Sequence, residues 1–292
     1  MSSDTWTVGR LLKWTTDFLK QRGAESPRLD AEVLLASAKG CERIALYTSF
    51  EDEADEPLRT RFRELVKRRA DGTPVAYLVG KREFYSLPFE VTPDVLIPRP
   101  ETEHLVIEIL DRAKELGAGT ALEIADVGTG SGIIAVCAAK QLPQARLTAI
   151  DISPAALEVA KRNAARHKVS ERLEFLVSDL FAALPAERKF QIIASNPPYV
   201  SESELAALAP DVRDHEPRGA LVAGPRGTEV IERLIPQAAA RLTPGGWLMM
   251  ELSPMIESAV RDLIVQQGGF QTPKTIKDLA GLPRIVTARR HS

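Results

Sequence analysis

LEIADVGTGSG, residues 122–132, joins an apolar segment directly to a glycine-rich turn. The apolar segment, Leu122–Val127, predicts a buried strand, and Ile133–Lys140 after the turn predicts a helix. Glycine allows the backbone to approach a ligand closely where a helix begins. Neither common phosphate-binding fingerprint fits. Residue 133 is isoleucine rather than the third glycine of a dinucleotide-binding turn, and no Lys-Ser or Lys-Thr pair follows Gly132.

Strand-like and helix-like segments alternate from Thr120 onward, which is typical of a doubly wound α/β sheet. Six further strands are predicted, the last two as a hairpin: Arg146–Ile150, Leu173–Val177, Phe190–Ala194, Trp247–Leu252, Phe270–Ile276 and Arg284–Ala288. Ligands of such sheets bind outside the carboxyl ends of the parallel strands. The residues at those ends are therefore the candidates for a binding site.

Acidic residues follow the second and third predicted strands. Asp151 ends the second strand, where a carboxylate can accept hydrogen bonds from both hydroxyls of a ribose. After the third strand, Asp179 can accept from the amine of an adenine, and Leu180 or Phe181 can cover the ring. A glycine turn, a ribose acceptor and an adenine acceptor in this order predict an adenosyl ligand that needs no phosphate-binding loop.

The fourth strand leads into Ser195-Asn196-Pro197-Pro198-Tyr199. Because proline carries no N–H, the backbone of this stretch offers mainly acceptors. Asn196 adds a side-chain carbonyl beside the main-chain carbonyl of Pro197. Two convergent acceptors fix both N–H groups of a substrate –NH2, and Tyr199 offers a flat face for a planar amide or base. The stretch therefore predicts a site that holds an amino nitrogen.

Residues 1–80 predict a helical bundle without a catalytic motif, 81–100 a hairpin and linker, and 101–292 the α/β domain. The bundle's main helices are predicted over Thr7–Arg22, Pro27 to Gly40, Glu42–Tyr47 and Leu58–Ala70. The hairpin is predicted to turn at Ser86-Leu87-Pro88. Residues 211–224 are predicted to form a long irregular loop, a common place for a lid or a partner surface.

Charge gives no overall attraction to nucleic acid or to an anionic membrane, because the net charge is −2 over 292 residues. One helix of the bundle nevertheless carries a basic face, made of Arg59, Arg61, Arg63, Lys67, Arg68 and Arg69. Such a face can meet an acidic partner or RNA, but a solvated helix surface is the favoured interpretation.

Cysteine and histidine usage indicates a reducing location without structural metal. Cys41 and Cys137 lie far apart, so we expect no disulfide framework and a cytoplasmic protein. The four histidines show no metal-ligand spacing. No apolar run approaches the roughly 18 residues of a membrane span, and residues 1–4 do not open a signal peptide.

Asp126–Gly132 together with Asn196–Tyr199 resembles the class I S-adenosylmethionine-dependent amino-methyltransferases. The helical N-terminal part, Arg82–Tyr85, Leu96–Glu103 and Glu216–Arg218 narrow the resemblance to the release factor glutamine methyltransferases (the PrmC/HemK family), over nearly the whole chain. That family methylates the side-chain amide nitrogen of the glutamine in the Gly-Gly-Gln motif of class 1 peptide chain release factors. The resemblance implies a seven-stranded class I methyltransferase (Rossmann-like) domain preceded by a small helical bundle that docks the release factor.

The resemblance also assigns roles to residues. It implies that S-adenosylmethionine is held by Gly128, Thr129, Gly130, Ser131, Gly132, Asp151, Asp179 and Leu180. Asn196 would bridge cofactor and substrate, and Pro197, Pro198 and Tyr199 would complete the glutamine pocket. The chain departs from the family pattern at Leu180, where an aromatic residue is frequent, and at Ser253 and Ile256, where Gly and Gln are usual. We expect a monomer.

Two other functions use the same features. A DNA adenine methyltransferase applies an Asn/Asp-Pro-Pro-aromatic stretch to another planar –NH2 group, but the near-neutral charge and the lack of a basic target-recognition segment disfavour it. A non-catalytic module that binds the cofactor is the second alternative. The intact glycine turn together with the intact Asn-Pro-Pro-Tyr stretch disfavours that interpretation.

Overall fold

A computed structural model describes residues 5–117 and 121–292 of the chain. Two predictions lie outside these residues, namely the absence of a signal peptide at residues 1–4 and the start of the strand–helix alternation at Thr120. The described chain divides into two compact units. The first comprises the residues up to Lys81 together with Ala209–His215, and the second comprises Arg82–Leu208 and Glu216–Ser292.

The first unit is helical. Its helices before residue 81 are α1 (Val8–Gln21), α2 (Pro27–Lys39), α3 (Ala45–Thr48), α4 (Glu56–Ala70) and α5 (Val75–Val79). The Thr7 hydroxyl caps α1 by accepting the Arg10 N–H at 3.2 Å. Gly40 ends α2 in the left-handed conformation, with φ of 70°. The apolar faces of these helices form a core that includes Leu12, Leu34 and Phe62.

Several arginines on the basic face of α4 bond to acceptors of the same unit. The Nε of Arg69 donates to Asp30 at 2.8 Å, and the Nε of Arg61 donates to the Ala38 carbonyl at 3.1 Å. Lys67 and Arg68, by contrast, are exposed to solvent. The part of this face that is open to a partner is therefore smaller than the sequence pattern suggests.

The second unit contains an N-terminal hairpin and the α/β domain. Its helices are α6 (Glu103–Glu115), α7 (Ile133–Gln141), α8 (Pro154–Arg166), α10 (Arg218–Leu221), α11 (Glu229–Arg241) and α12 (Glu257–Gln267), whereas α9 (Pro210–His215) belongs to the first unit. Its strands are β1 (Lys81–Phe84), β2 (Leu87–Glu90), β3 (Glu123–Val127), β4 (Arg146–Asp151), β5 (Leu173–Val177), β6 (Phe190–Ser195), β7 (Val200–Ser201), β8 (Val222–Gly224), β9 (Leu242–Glu251), β10 (Lys274–Lys277) and β11 (Pro283–Arg289).

The main sheet of the described chain has seven strands in the order β10-β11-β9-β6-β3-β4-β5. The five strands from β9 to β5 run parallel, and β11 is antiparallel to both of its neighbours. The order reverses between β3 and β6, which is the topological switch point where ligands bind in such sheets. The predicted seven-stranded fold with a terminal hairpin, preceded by a helical bundle, is confirmed.

Residues 211–224 are not the irregular loop that the sequence predicts. They contain the end of α9, all of α10 and the short strand β8, which pairs with β7 in parallel. Glu216 anchors the segment, because its buried carboxylate accepts the Ile97 N–H at 3.1 Å and an Arg99 N–H at 2.6 Å. Arg99 and Glu216 are more than 100 residues apart in the sequence, so their ion pair leaves no local pattern. The turn-forming residues of the segment alone therefore suggested a loop.

The turn of the first hairpin begins one residue earlier than predicted and is one residue shorter. Tyr85 and Ser86 both have positive φ, 51° and 57°, which is the geometry of a tight two-residue turn that matches the twist of its strands. Leu87 and Pro88 therefore lie in β2 rather than in the turn. Glycine and asparagine are the usual residues of this turn type, and neither occurs at position 85 or 86, so the sequence gives little sign of it.

Three other predicted boundaries are also wrong. The third helix is Ala45–Thr48 rather than Glu42–Tyr47. Before Ala45 the backbone forms hydrogen bonds between residues three apart, such as Ala45 N–H to Glu42 O at 3.0 Å, which are not those of an α-helix. β9 begins at Leu242, five residues before the predicted start. β10 is shorter than predicted and begins at Lys274, after Pro273, which has no N–H to donate to a strand neighbour.

Apolar clusters cover the two faces of the sheet, and β9 shows how its side chains alternate between them. Trp247 and Met249 pack in one cluster, and Leu248 and Met250 pack in the other. By the same alternation Glu251, the last residue of β9, points to the face of Trp247 and Met249. None of the helices within the described ranges is long and apolar enough to cross a membrane.

Candidate active site

A cavity of about 310 Å³ lies at the carboxyl ends of β3, β4 and β6. This volume falls within the range of small-molecule sites. Nine of the twelve predicted site residues line it: Gly128, Thr129, Gly130, Ser131, Asp151, Asp179, Leu180, Asn196 and Pro198. In the described part of the chain, Gly132, Pro197 and Tyr199 lie beside these residues but not on the cavity wall.

The glycine turn is tied to the neighbouring strand. The N–H groups of Gly128 and Thr129 both donate to the Ile150 carbonyl, at 2.8 and 2.9 Å. A methyl group added at Gly130, whose φ is 54°, would meet no atom within 4 Å, so the backbone there faces open space. Gly132 has another reason to be glycine: an added Cβ would lie 3.1 Å from the Cβ of Ala160 in α8.

Asp126 supports the glycine turn from behind. It is fully buried, and its Oδ2 accepts from the Thr129 hydroxyl at 2.7 Å and from the Ala135 N–H at 3.1 Å. Burial raises the pKa of Asp126 to about 7, and the nearby Asp151 raises it further, although the two hydrogen bonds lower it. Its Oδ1 has no partner among the described residues. From the sequence, Asp126 stands out only as the first residue of the Asp126–Gly132 stretch.

Asp151 is held in a fixed orientation at the position predicted for ribose binding. One carboxylate oxygen accepts the Gly130 N–H at 2.8 Å, and the other accepts the Ser153 N–H at 2.9 Å. Burial raises the pKa of Asp151, and these backbone bonds lower it. A carboxylate has about four acceptor positions, so both oxygens keep capacity for the two hydroxyls of a ribose.

The segment after β5 completes this half of the cavity. Asp179 forms an ion pair with Arg233, and its side chain is about half exposed. Leu180 is buried with φ of 50°, an uncommon left-handed conformation for leucine. Strain of this kind is concentrated at functional sites. Here it places the Leu180 side chain on the cavity wall, where a planar ring can pack against it.

Asn196 forms the opposite wall. Its Nδ2 donates to the hydroxyl of Thr102 at 3.3 Å, and no hydrogen bond within the described residues uses its Oδ1. The neighbouring Ser195 hydroxyl donates to the Val127 carbonyl at 2.7 Å and fixes the end of β6 against β3. Tyr199 packs against the apolar cluster, and burial strongly raises its pKa, so its hydroxyl stays protonated.

Two further residues of the site were missed by the sequence analysis. Thr102, which is fully buried, lines the cavity beside Asn196, and Glu251, only 2% exposed, lies behind them at the end of β9. Arg99 lies on the cavity wall and bonds to Glu216, whose side chain is also buried. A carboxylate that follows a buried strand is a usable signal for Glu251, but nothing local marks Thr102.

Sequence comparisons match both parts of the chain. Residues 10–80 match the PrmC N-terminal domain, and residues 103–211 match the methyltransferase small domain. A release factor glutamine methyltransferase of Rhodopirellula baltica is 54% identical over 291 residues, which cover 99% of this chain and 98% of the relative. The chain belongs to the release factor glutamine methyltransferase family. A second member, from Koribacter versatilis, is 43% identical and covers 93% of this chain and 94% of its own length.

Solved structures support the fold assignment of this family member. A 16S rRNA N2 G1207 methyltransferase of T. thermophilus, solved in complex with AdoMet and guanosine, aligns with a TM-score of 0.53 and 21% identity over 72% of this chain and 50% of that chain. A ribosomal protein L11 methylase of Lactobacillus delbrueckii subsp. bulgaricus aligns with a TM-score of 0.50 and 21% identity over 69% and 84%. Both likenesses show the class I methyltransferase fold.

Proposed function

We propose that this chain transfers a methyl group from S-adenosylmethionine to the side-chain amide nitrogen of the glutamine in the Gly-Gly-Gln motif of class 1 peptide chain release factors. Family membership supports the activity. The observation that carries the chemistry is the Asn196 amide, whose N–H group is bound to Thr102 while its carbonyl oxygen stays unbonded beside the cavity. That oxygen is the acceptor that a substrate –NH2 group requires.

The residues of the cavity fit S-adenosylmethionine. Asp151 would accept the ribose hydroxyls, the backbone at Gly130 leaves room for close approach, and Leu180 would pack against the adenine. Asp179, although paired with Arg233, keeps acceptor positions for the adenine amine. Gly132 and Asp126 would act indirectly, by fixing the shape of the turn.

Asn196 and the carbonyl of Pro197 would position the nucleophile. Bound S-adenosylmethionine supplies an electrophilic methyl group on a positively charged sulfur. An amide nitrogen is a poor nucleophile, because its lone pair is delocalised into the carbonyl. Two acceptors that hold both N–H groups direct that lone pair at the methyl carbon, and positioning of this kind is worth up to about 7–11 kcal/mol.

No side chain has to act as a strong base. Transfer of the methyl group would move the positive charge from the sulfur to the substrate nitrogen, and a positively charged amide nitrogen readily releases one of its two protons to water. None of the histidines of the described chain lines the cavity. Pro198 on the cavity wall, with Pro197 and Tyr199 beside it, would enclose the planar amide. The helical first unit would dock the release factor.

The test is methyl transfer from labelled S-adenosylmethionine to three substrates offered separately. These are a purified class 1 release factor, the same factor with the motif glutamine replaced by alanine, and duplex DNA. We expect label on the intact factor only. Label on DNA would favour the adenine methyltransferase alternative, and binding of the labelled cofactor without transfer to any substrate would favour a non-catalytic module.

A further inference from the structure

Glu251 is a buried carboxylate in the catalytic domain without a role in the account above. The parallel register of β6 and β9 places Ser195 opposite Met250, so Asn196 and Glu251 are the next pair at the ends of these strands. Glu251 points to the same sheet face as Met249, the face on which the residues of α6 pack. Burial of a carboxylate is costly unless hydrogen-bonding partners compensate it.

Thr102 connects Glu251 to Asn196. Thr102 and Asn196 lie close enough to the Glu251 carboxylate to lower its pKa. The buried Glu251 Oε2 has no hydrogen-bond partner among the described residues, and the Thr102 hydroxyl accepts from Asn196 Nδ2 at 3.3 Å. A hydroxyl has one proton to donate and lone pairs to accept with. When that proton is committed to Glu251, the hydroxyl can only accept from Asn196. The –NH2 end of the amide must then face Thr102, and its oxygen must face away.

We propose that Glu251 is a positioning residue, whose ionised carboxylate acts through the Thr102 hydroxyl to hold Asn196 with its Oδ1 toward the substrate amide. This inference rests on the proposed function. Without an ionised Glu251, the Thr102 hydroxyl is free to donate to Asn196 Oδ1, and the Asn196 amide can turn over. Asn196 would then present N–H groups to the N–H groups of the substrate, and no hydrogen bond would form.

The charged surroundings of Glu251 predict a pH dependence. Burial raises the pKa of Glu251 to about 7, Glu101 raises it further, and Thr102, the charge of Arg284 and Asn196 lower it. Arg284 itself lies 3.8 Å from Glu101.

Tyr199, which follows β6, lies near enough to Glu251 for the carboxylate to raise the pKa of its hydroxyl, which stays neutral; Arg99 also lies near Tyr199. Protonated Glu251 donates a hydrogen bond instead of accepting one. Turnover should therefore be full above the pKa of Glu251 and fall as the pH falls through it, by about tenfold per pH unit for a single proton.

The first test is Glu251→Gln, which keeps the shape of the side chain but removes its charge. We expect kcat on the release factor to fall by at least about tenfold, while the affinity for S-adenosylmethionine changes less than about twofold. The acidic limb of the kcat profile should also disappear in this variant. A kcat within about threefold of the unsubstituted chain, or an unchanged acidic limb, would overturn the proposal.

A matched pair at Thr102 tests the connection without touching Glu251. Thr102→Ser keeps the hydroxyl and should retain most of kcat, whereas Thr102→Val keeps the shape and should lose as much as Glu251→Gln. Equal activity of the two variants would exclude the hydroxyl and overturn the proposal. If the unsubstituted chain itself fails to methylate release factor, the proposed function fails. If it succeeds and neither substitution matters, only the role of Glu251 fails.

Discussion

Asp151 accepts a hydrogen bond from the Gly130 N–H at 2.8 Å. This bond joins the end of β4 to the glycine turn that follows β3, so the predicted ribose acceptor and the predicted close-approach site are parts of one rigid arrangement. Each fixes the other before a ligand arrives. Preorganisation of this kind lowers the ordering cost of binding.

Asp151→Ala should weaken binding of S-adenosylmethionine, because two hydrogen bonds to a charged acceptor are lost, each worth roughly 1.5–3 kcal/mol at most. Calorimetric titration measures the change. Asp179→Ala is the matched comparison and should cost less, since Asp179 is half exposed and already paired with Arg233. Unchanged affinity in Asp151→Ala would remove this residue from the cofactor site.

Asp126→Asn should change how the stability of the protein depends on pH. The pKa of Asp126 is about 7 in the folded chain, above its unfolded value of 3.8. Its contribution to stability is therefore fully present below pH 3.8 and is lost as the pH rises toward about 7. Each pH unit in this window costs the native chain at most about 1.4 kcal/mol through this residue.

Asparagine can keep both hydrogen bonds of Asp126, because the same oxygen, Oδ2, accepts from Thr129 and Ala135. We expect the difference in unfolding free energy between the variant and the parent to shift in favour of the variant from pH 5 to pH 7. Urea unfolding at several pH values measures it. A difference that is constant with pH would mean that Asp126 titrates normally in the folded chain.

The sequence predicted the strand ends well because each depends on a short local pattern. The glycine turn, Asp151 and the Asn196 stretch all follow apolar strands, and the parallel topology then brings them together. Glu251 and Thr102 were not predicted, because their proximity to Asn196 depends on the register of β9 and on the position of α6. Such pairings join residues that are far apart in the chain and have no periodic signature.

Charge reversal at Lys67 and Arg68 tests whether the basic face of α4 docks the release factor. Both residues are exposed, and neither is one of the residues that line the cavity. If the first unit binds the acidic surface of a partner, Lys67→Glu with Arg68→Glu should raise KM for intact release factor severalfold and leave kcat unchanged. The double variant and the unsubstituted chain should methylate a short Gly-Gly-Gln peptide equally.

The control for this experiment is the same charge change on the second unit, at Lys274 and Lys277 of β10, which are also exposed. A similar rise in KM for both double variants would indicate a general charge effect. No change in either would assign the basic face of α4 to solvent, the interpretation that the sequence pattern favours.

The most direct test of the account is the turnover of Asn196→Ala on intact release factor, measured together with its affinity for S-adenosylmethionine. The substitution removes the acceptor that orients the substrate nitrogen but leaves Asp151 and the glycine turn in place. We predict a loss of about 100-fold in turnover, with cofactor affinity and unfolding midpoint close to those of the parent. Turnover within about threefold of the parent, equivalent to roughly 0.65 kcal/mol, would contradict the acceptor mechanism.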